Sequence, residues 1–345
     1  MESFKALRVH QIDGGTEARL ETLTLADLSP GNVVIRGEYS SINYKDALAV
    51  TGKGRILRRF PLVAGVDIAG TVVSSADGRL KPGDAVAVHG CGLSETHDGG
   101  FSEYARVPAE WVNRLPAEID TRMAMGLGTA GFTAALAIHR LEQIGQTPGM
   151  GPIAVTGATG GVGSIAIAML AGLGYSVTAI TSKTTADDYL RGLGASDIYC
   201  LKGRELGTKP LEKTLWGGAV DSLGGATLAW LTRTVAPYGS IASVGLAQGH
   251  ELQTTVMPFI LRGVSLLGIN SVEVPAALRA EIWRRLAGDL KLTSLAGIVT
   301  REVALAEVPD IVDAWVAGTV VGRCLVRLGG QINGRGEHDS SGRQA

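Results

Sequence analysis

The stretch Thr156-Gly157-Ala158-Thr159-Gly160-Gly161-Val162-Gly163 lies between a short apolar run, 153–155, and a longer run of small and apolar residues, 164–173. This order predicts a strand, a tight turn and a helix. The first N–H groups of a helix have no partners and its dipole leaves partial positive charge there, so a diphosphate can bind if the backbone lets it approach. A glycine-rich turn alone is often only a loop.

The residues on either side of this turn favour a dinucleotide-binding unit over a plain loop. Ala158, Gly160 and Gly163 match the spacing G-x-G-x-x-G with alanine in the first place, which keeps the two close-contact glycines. A second apolar run, 176–180, follows the predicted helix directly. A strand there completes a βαβ unit, so the sequence predicts binding of a nicotinamide dinucleotide.

The end of the second predicted strand indicates which dinucleotide binds. It reads Thr181-Ser182-Lys183-Thr184, and no acidic residue occurs before Asp187. An NAD site normally places a carboxylate there to bind the ribose hydroxyls, whereas NADP needs donors for its extra phosphate. Because Ser182 and Lys183 can donate to a phosphate dianion, the sequence predicts NADPH rather than NADH.

Length and composition favour a two-domain globular protein. The chain has 345 residues, 45% of them hydrophobic and 19% charged, with a formal net charge of −1. That charge argues against nucleic acid as a partner, and no apolar run is long enough to span a membrane. Three distant cysteines form no disulfide framework. Together with the absence of a signal segment, this predicts a cytoplasmic protein whose partner is a small-molecule substrate.

The pattern along the chain indicates an α/β fold with two parts. Short alternating runs separated by turns in 4–112 predict a small β-barrel-like domain. A helical pattern at 123–137 marks the expected boundary, and six parallel strands alternate with helices after it. Strands near 298–303 and 324–328 are expected to complete the first domain. Residues 329–345 contain almost no apolar side chain, so a disordered tail is expected.

Polar side chains collect at 41–48, where a strand pattern stops. Such a stretch either presents residues to a cleft or forms a capped surface helix. It is followed by the cations Lys53, Arg55, Arg58 and Arg59. These cations either form a solvated face or bind a phosphorylated substrate, for which Arg58 and Arg59 are the candidates.

Four longer segments resemble a known family. They carry the resemblance to the zinc-free medium-chain dehydrogenases/reductases over residues 4–328, and within them to the acryloyl-coenzyme A reductase branch, formerly grouped with quinone oxidoreductases. The segments are Asn43-Tyr44-Lys45-Asp46-Ala47-Leu48-Ala49, Thr51-Gly52-Lys53-Gly54, Gly128-Thr129-Ala130-Gly131-Phe132-Thr133-Ala134 and Thr254-Thr255-Val256-Met257-Pro258-Phe259-Ile260-Leu261-Arg262.

The resemblance implies a GroES-like catalytic domain of residues 1–125 plus 293–329, a Rossmann NADPH-binding domain of residues 126–292, and a disordered tail, 330–345. It also implies a homodimer that pairs through an edge strand near 265–269. The branch usually carries arginine where Lys183 stands. The implied cofactor-binding residues are Tyr44 and Thr129 beside the nicotinamide, Thr159, Gly160, Gly161 and Val162 at the diphosphate, Ser182 and Lys183 at the 2′-phosphate, and Gly245, Leu246, Ile260 and Ser271 on the nicotinamide side.

The metal site of zinc-dependent relatives is not expected in this chain. Those relatives share a Gly-His-Glu segment, whereas this chain reads Gly65-Val66-Asp67. His89, Cys91 and His97 lie close in sequence, but two imidazoles and one thiol without a defined fourth ligand make a poor zinc set. We therefore expect no metal.

Without a metal, hydride must go to a carbon made electrophilic by conjugation. The β-carbon of an α,β-unsaturated thioester fits, with charge developing on the thioester oxygen. Tyr44 is the candidate donor of the proton to the α-carbon, with water as the alternative. Asn43 is expected to position the carbonyl or the cofactor amide. Lys45 and Asp46 either pair with each other or take part in the chemistry.

Three functions are therefore compared. The first is NADPH-dependent reduction of acryloyl-CoA to propanoyl-CoA. The second is reduction of a quinone or enone, which needs the same hydride geometry but no binding of coenzyme A phosphates. The third is a binding protein that uses the nucleotide fold to hold RNA or report redox state, which the near-neutral charge argues against.

Overall fold

A computed structural model describes residues 3–293 and 295–329 of the protein. The expected disordered tail, 330–345, lies outside the described residues. Among the helices of the described part, none combines the length and the apolar character that a membrane span requires.

The N-terminal part consists of short strands joined by turns, as its alternating pattern predicts. One helix interrupts the strands, immediately after the third of them. The elements are β1 (Phe4–Ile12), β2 (Gly15–Leu23), β3 (Val33–Ile42), α1 (Tyr44–Thr51), β4 (Leu62–Val63), β5 (Asp67–Ser75), β6 (Ala85–His89), β7 (Tyr104–Val107) and β8 (Asn113–Arg114), with short 3-10 helices at Leu25–Asp27 and Ala109–Trp111.

The middle of the chain alternates helices with parallel strands. The elements are α2 (Thr121–Gln143), β9 (Ile153–Thr156), α3 (Gly161–Gly172), β10 (Val177–Thr181), α4 (Asp187–Gly192), β11 (Asp197–Cys200), β12 (Trp216–Asp221), α5 (Gly225–Thr234), β13 (Val235–Ser243), α6 (Met257–Arg262), β14 (Ser265–Gly268) and α7 (Ala276–Ala287).

The six strands of this part form one sheet in the order β11-β10-β9-β12-β13-β14, and all of its pairings are parallel. The prediction of six parallel strands is confirmed. The strand order reverses between β9 and β12. In such sheets ligands bind outside the carboxyl ends of the strands at this reversal, which is where the glycine-rich turn leaves β9.

The last part of the chain returns to the N-terminal sheet. Cys324 pairs with Ile42, so the final strand lies antiparallel to β3. The elements are β15 (Val299–Ala304), a 3-10 helix (Leu305–Glu307), α8 (Val308–Ile311), α9 (Asp313–Val316) and β16 (Arg323–Arg327). The resulting sheet has the order β15-β16-β3-β5-β6-β8 with β7 also paired to β3, and β2-β1-β4 form a smaller sheet beside it.

The long helix α2 packs against both parts. It contacts β3, β5 and β6 on one side and α3, α7 and β13 on the other. It is buried along most of its length, which explains why its sequence is apolar around nearly the whole circumference. The helix is interrupted at Gly128, whose φ of 52° and ψ of −155° are not helical. The fold class, a GroES-like β domain with a Rossmann-type parallel sheet, is confirmed, but this interruption was not predicted.

Candidate active site

The glycine-rich turn has the geometry of an anion site. Gly157 has a φ of 58°, and its carbonyl accepts the N–H of Gly160 at 2.8 Å. A Cβ on Gly163 would lie 2.9 Å from Cα of Ala158, so glycine is needed for α3 to pack against the turn. The N-cap residue, Gly160, provides no side-chain cap. The N–H groups of Gly161 and Val162 are therefore directed toward the space beyond the helix end.

Lys183 lies beside the turn, but its ammonium already has partners. Its Nζ donates to Oγ1 of Thr159 at 2.9 Å and to the carbonyl of Val320 at 2.6 Å. Burial lowers the pKa of Lys183. The neighbouring Ser182 is exposed. The structure thus brings Lys183 together with Thr159, and adds a contact to the segment before β16 that the sequence did not indicate.

Tyr44 begins α1, directly after the end of β3. Its side chain is 39% exposed, and the preceding Asn43 is the N-cap residue. The amide of Asn43 donates to Asp46 Oδ2 at 3.1 Å and to Asp67 Oδ2 at 3.0 Å. The sequence left two interpretations of this stretch, a segment that presents side chains to a cleft or a capped surface helix. The stretch forms a capped helix, and the first residue of that helix is the partly exposed Tyr44.

Of the two alternatives for Lys45 and Asp46, the structure contradicts the pair between them. Lys45 instead forms an ion pair with Glu95. Asp46 is fully buried and accepts the backbone N–H of Asn43 and of Val66, each at 2.8 Å. Burial and, after it, the charge of Asp67 raise the pKa of Asp46 to about 7, although the hydrogen bonds from Asn43 and Val66 oppose the shift. Asp46 therefore belongs to a buried network beneath Tyr44.

Thr129 is joined to the same network through its backbone. Its N–H donates to Asp67 Oδ2 at 3.0 Å, the oxygen that also accepts the amide of Asn43. The Thr129 hydroxyl is buried, and no residue of the described part bonds to it. A buried hydroxyl without a partner is costly unless a ligand satisfies it. This orphaned group fits the expected contact between Thr129 and the nicotinamide.

Ser271 reaches the site through a side chain that was not singled out. Thr133 Oγ1 lies 2.7 Å from the carbonyl of Thr129 and 2.9 Å from Oγ of Ser271. Thr133, one turn after Thr129 on α2, thus links Ser271 to the helix face that carries Thr129.

Gly245 and Leu246 follow β13 and contact the turn after β12. The carbonyl of Ser222 would lie 2.6 Å from a Cβ on Gly245, so only glycine fits there. The Ser222 hydroxyl, like that of Thr129, is buried without a partner among the described residues. A Cβ on Gly157 would lie 3.3 Å from that of Ser222. Ser222 therefore provides a polar group at the reversal of strand order, which the sequence analysis missed.

Ile260 is not brought to this group. It lies on α6 with its side chain 71% exposed, next to the exposed Leu261.

The arginines after α1, Arg58 and Arg59, are exposed. Arg59 donates to the carbonyl of Thr96 at 3.0 Å and lies 3.5 Å from the Asp98 carboxylate, so part of its guanidinium is engaged. Arg58 contacts Glu95 through its backbone N–H.

The histidines considered as metal ligands have other roles. His89 is buried, and its Nε2 accepts the indole N–H of Trp283 at 3.2 Å. Burial lowers the pKa of His89 well below its ordinary value. His97 lies 3.0 Å from the carbonyl of Pro30. Within residues 3–293 and 295–329 no group of three potential metal ligands is found.

The sequence analysis did not identify two further residues of the site. Arg323 was not considered, and Asp67 was noted only as part of the segment Gly65-Val66-Asp67. Both are buried and charged. The one available signal was the placement of each charge at the edge of an apolar strand segment, since charged side chains are rarely buried without a partner. The sequence does not tell which distant groups pair with them.

Comparison with known proteins identifies the family. The model "Alcohol dehydrogenase GroES-like domain" matches residues 29–117, and the model "Zinc-binding dehydrogenase" matches residues 161–287. The chain is 47% identical to the "Putative quinone oxidoreductase YhfP" of Bacillus subtilis over 94% of this chain and 99% of that protein. It is 46% identical to the acrylyl-CoA reductase AcuI of Ruegeria pomeroyi over 94% of this chain and 98% of that protein.

Solved structures agree. The yhdH oxidoreductase of Salmonella enterica in complex with NADP is 46% identical, has a TM-score of 0.91, and the match covers 94% of this chain and all of that one, 100%. The Bacillus subtilis protein yhfP with NAD bound is also 46% identical with a TM-score of 0.91, over 95% and 100% of the two chains. The chain therefore belongs to the medium-chain dehydrogenase/reductase family, in the branch that contains these acrylyl-CoA reductases and quinone oxidoreductase-like proteins.

Proposed function

We propose that the protein is an NADPH-dependent acryloyl-CoA reductase that forms propanoyl-CoA without a metal. The observation that carries the proposal is the orphaned hydroxyl of Thr129, a residue whose backbone N–H shares the Asp67 carboxylate with Asn43, directly before Tyr44. Together with the bare N-terminus of α3, it provides polar contacts for the nicotinamide and the diphosphate of a dinucleotide. The substrate class follows the acrylyl-CoA reductase relative.

The residues present fit NADPH. The N–H groups of Gly161 and Val162 would hold the diphosphate, and the hydroxyls of Thr129 and Ser222 would satisfy polar groups of the cofactor. Ser182 and Lys183 would contact the 2′-phosphate. Lys183 is close enough to serve the diphosphate turn as well, since it bonds Thr159. The NADP complex of the Salmonella enterica relative supports this choice, whereas the Bacillus subtilis relative has NAD bound.

NADPH, when bound, supplies a hydride to the β-carbon of the thioester. The side chains of the protein orient the acceptor, exclude water and provide the proton for the α-carbon. Tyr44 is our candidate for that proton, because its side chain stays partly exposed at the start of α1 while its backbone is fixed by the Asn43 cap. Hydride and proton together add two hydrogens across the C=C bond and leave the thioester intact.

Asn43 acts on the position of Tyr44 rather than on the substrate. Both of its amide hydrogens point to Asp46 and Asp67, and its carbonyl oxygen accepts from Arg323 at 2.9 Å. A substrate contact would break one of these buried bonds. We therefore assign Asn43 to the support of the catalytic loop.

Coenzyme A phosphates would bind at Arg58 and Arg59, the exposed cations after α1. Arg58 is the stronger candidate, since Arg59 already donates to Thr96 and lies near Asp98. A quinone or enone reductase, the second candidate, is favoured by the name of the Bacillus subtilis relative and needs no such cations.

The decisive assay supplies acryloyl-CoA, other enoyl thioesters and quinones with NADPH or NADH and follows cofactor oxidation. Turnover of acryloyl-CoA with NADPH supports the proposal, and turnover of quinones alone rejects it for the second candidate. Replacing both Arg58 and Arg59 with Glu should raise the KM for the thioester and leave the KM for a quinone unchanged. An equal change for both substrates would show that these arginines do not bind coenzyme A.

We propose that the protein is a homodimer. Strand β14 (Ser265–Gly268) is the last of the parallel sheet, and exposed apolar side chains collect near that edge, on α6 and at Tyr238. A second copy would cover both features. Light scattering of the wild type and of Ile260→Asp tests this, because a charge in the interface should yield monomers.

The three free thiols suit a reducing cytoplasm, which is the location we propose.

A further inference from the structure

The interruption of α2 leaves polar backbone groups in the protein interior. The first half of the helix ends near Met125 and Gly126, whose carbonyls belong to its last turn. The second half begins near Thr129, whose N–H belongs to a new first turn. Such groups have no intrahelical partner, and buried backbone groups are almost always paired.

Two distant side chains supply the partners. Arg323 Nε donates to the carbonyl of Gly126 at 3.1 Å, and its Nη2 donates to that of Met125 at 3.2 Å. Asp67 Oδ2 accepts the N–H of Thr129 at 3.0 Å. The guanidinium thus faces the negative end of one half-helix and the carboxylate faces the positive end of the other. Arg323 is 2% exposed and Asp67 is 0% exposed, so both charges are screened little by water.

The two charges both lie beside Gly128. A Cβ on this residue would lie 2.5 Å from Nη2 of Arg323 and 2.8 Å from both Asp67 Oδ2 and Ser41 Oγ. Ser41 bridges the pair, because its hydroxyl accepts from Arg323 at 2.6 Å and donates to Asp67 at 2.7 Å. Gly128 is needed for its positive φ and for this space.

The pair also holds the two other parts of the site. Arg323 Nη1 donates to Asn43 Oδ1 at 2.9 Å, which places the residue before Tyr44. On the side of the diphosphate turn, a Cβ on Gly161 would lie 2.9 Å from Cδ of Arg323. One arginine therefore touches the broken helix, the Tyr44 loop and the start of α3.

We propose that Arg323 and Asp67 are a positioning pair for hydride transfer. They fix the Tyr44 loop, Thr129 and the diphosphate turn relative to one another, so that a bound cofactor and its acceptor meet at reactive distance. We assign both to positioning, because each is buried and its polar atoms are bonded to groups of the protein. This inference rests on the proposed use of a nicotinamide cofactor, but it holds for any acceptor that the wild type reduces.

The test separates positioning from binding and from folding. Asp67→Asn and Arg323→Lys keep polar atoms in place but remove one charge or the forked geometry. We expect the single-turnover rate of hydride transfer at saturating NADPH and acceptor to fall about 10- to 100-fold, as for a reacting group displaced by about 1 Å. The NADPH dissociation constant, measured by fluorescence titration, should stay close to the wild-type value. Arg327→Lys, at the exposed end of the same strand, is the matched control and should behave as wild type.

Ser41→Ala provides a milder variant if the charge variants fail to fold, because it removes the bridging hydroxyl and retains both charges. It should also slow hydride transfer at saturation with little change in NADPH affinity. An unchanged single-turnover rate in folded variants overturns the proposal, as does a loss confined to NADPH affinity or Tm. The acceptor is whichever substrate the wild type reduces, so a failure with acryloyl-CoA alone would reject the proposed substrate and not the positioning pair.

Discussion

Two helix N-termini pack against each other in this protein and are completed in different ways. A Cβ on Gly161, the first residue of α3, would lie 3.3 Å from that of Ala130 in the second half of α2. The start of α3 has no side-chain cap, whereas the N–H of Thr129 is bonded to the Asp67 carboxylate. The two ends have the same backbone chemistry and the same partial positive charge.

The difference shows how a helix end becomes a binding site or a structural joint. Where the chain supplies its own carboxylate, the N–H groups are satisfied and the end holds other elements in place. Where glycines exclude side chains, the same groups remain for an external anion. Arg323 lies next to both ends and supplies a cation to the region as a whole. We call the start of α3 the open end, and the start of the second half of α2, at Thr129, the filled end. Filling the open end should lower cofactor affinity, whereas emptying the filled end should lower the free energy of unfolding.

Emptying the filled end should have the largest effect. Asp67→Ala leaves the buried guanidinium of Arg323 without the carboxylate that Ser41 joins to it, and Thr129 without its acceptor. Removing one charge of a buried, hydrogen-bonded pair of opposite charges typically costs about 3–5 kcal/mol. We expect a loss of that order in the free energy of unfolding, measured by urea denaturation. Asp187→Ala, at the exposed start of α4, is the control and should change stability little. A loss below about 1 kcal/mol would mean that water reaches Arg323.

Filling the open end should have the second-largest effect, a loss of cofactor affinity. Gly160→Asp places a carboxylate at the N-cap of α3, where it competes with the diphosphate for the same N–H groups. Like charges in contact cost several kcal/mol, so NADPH affinity should fall about 100- to 1,000-fold. The fold should be retained, since Asp is a favourable N-cap residue. Gly160→Ser adds a similar Cβ without the charge, and comparable losses in both variants would make crowding, not charge, the cause.

Lys183 adds a cation at the rim of the open end. Lys183→Asp removes a charge-assisted bond worth about 1.5–3 kcal/mol, so NADPH affinity should fall by about one to two powers of ten and the preference should move toward NADH. The measurement is the NADPH/NADH ratio of kcat/KM. At saturating NADPH, kcat should stay near wild type. Lys202→Asp, an exposed charge reversal after β11, is the control. An unchanged ratio would show that Lys183 serves only Thr159 and Val320.

The smallest effect, taken per pH unit, concerns the protonation of Asp46 beside the filled end. The raised pKa of Asp46, about 7 against an ordinary 3.8, means that the folded protein binds a proton more tightly than the unfolded chain. Between these values the contribution of Asp46 to stability is present at low pH and is lost as pH rises toward 7, with a slope on the order of 1 kcal/mol per pH unit. The difference in unfolding free energy between wild type and Asp46→Asn should shrink over this range. A difference independent of pH would mean that Asp46 stays ionised.

The sequence predicts the open helix end well, because its chemistry is local. Ala158, Gly160 and Gly163 lie in or next to the strand–turn–helix unit, so their spacing and the flanking apolar runs together predict the turn. The partner of Lys183 is different. Val320 is far away in sequence, and no periodicity links the two.

The filled end could not be predicted in the same way. It depends on Arg323 reaching Ser41 across 282 residues, and on a helix break that a glycine permits but does not specify. Gly126, Gly128 and Gly131 look alike in a helical pattern, yet only Gly128 has a positive φ. Which glycine breaks the helix is decided by the charges that pack against it, and these become neighbours only in the folded chain.

The position of Arg323 in the final strand also determines the order in which parts of the site can form during synthesis on the ribosome. The parallel sheet, from β9 to β14, is complete before β16 leaves the ribosome, because chains emerge from their N-terminus. Asp67 and the interrupted helix must wait for β16 to pair with β3. The cofactor-binding sheet can therefore form while the chain is still growing, whereas the complete active site requires β16, the last strand of the described residues.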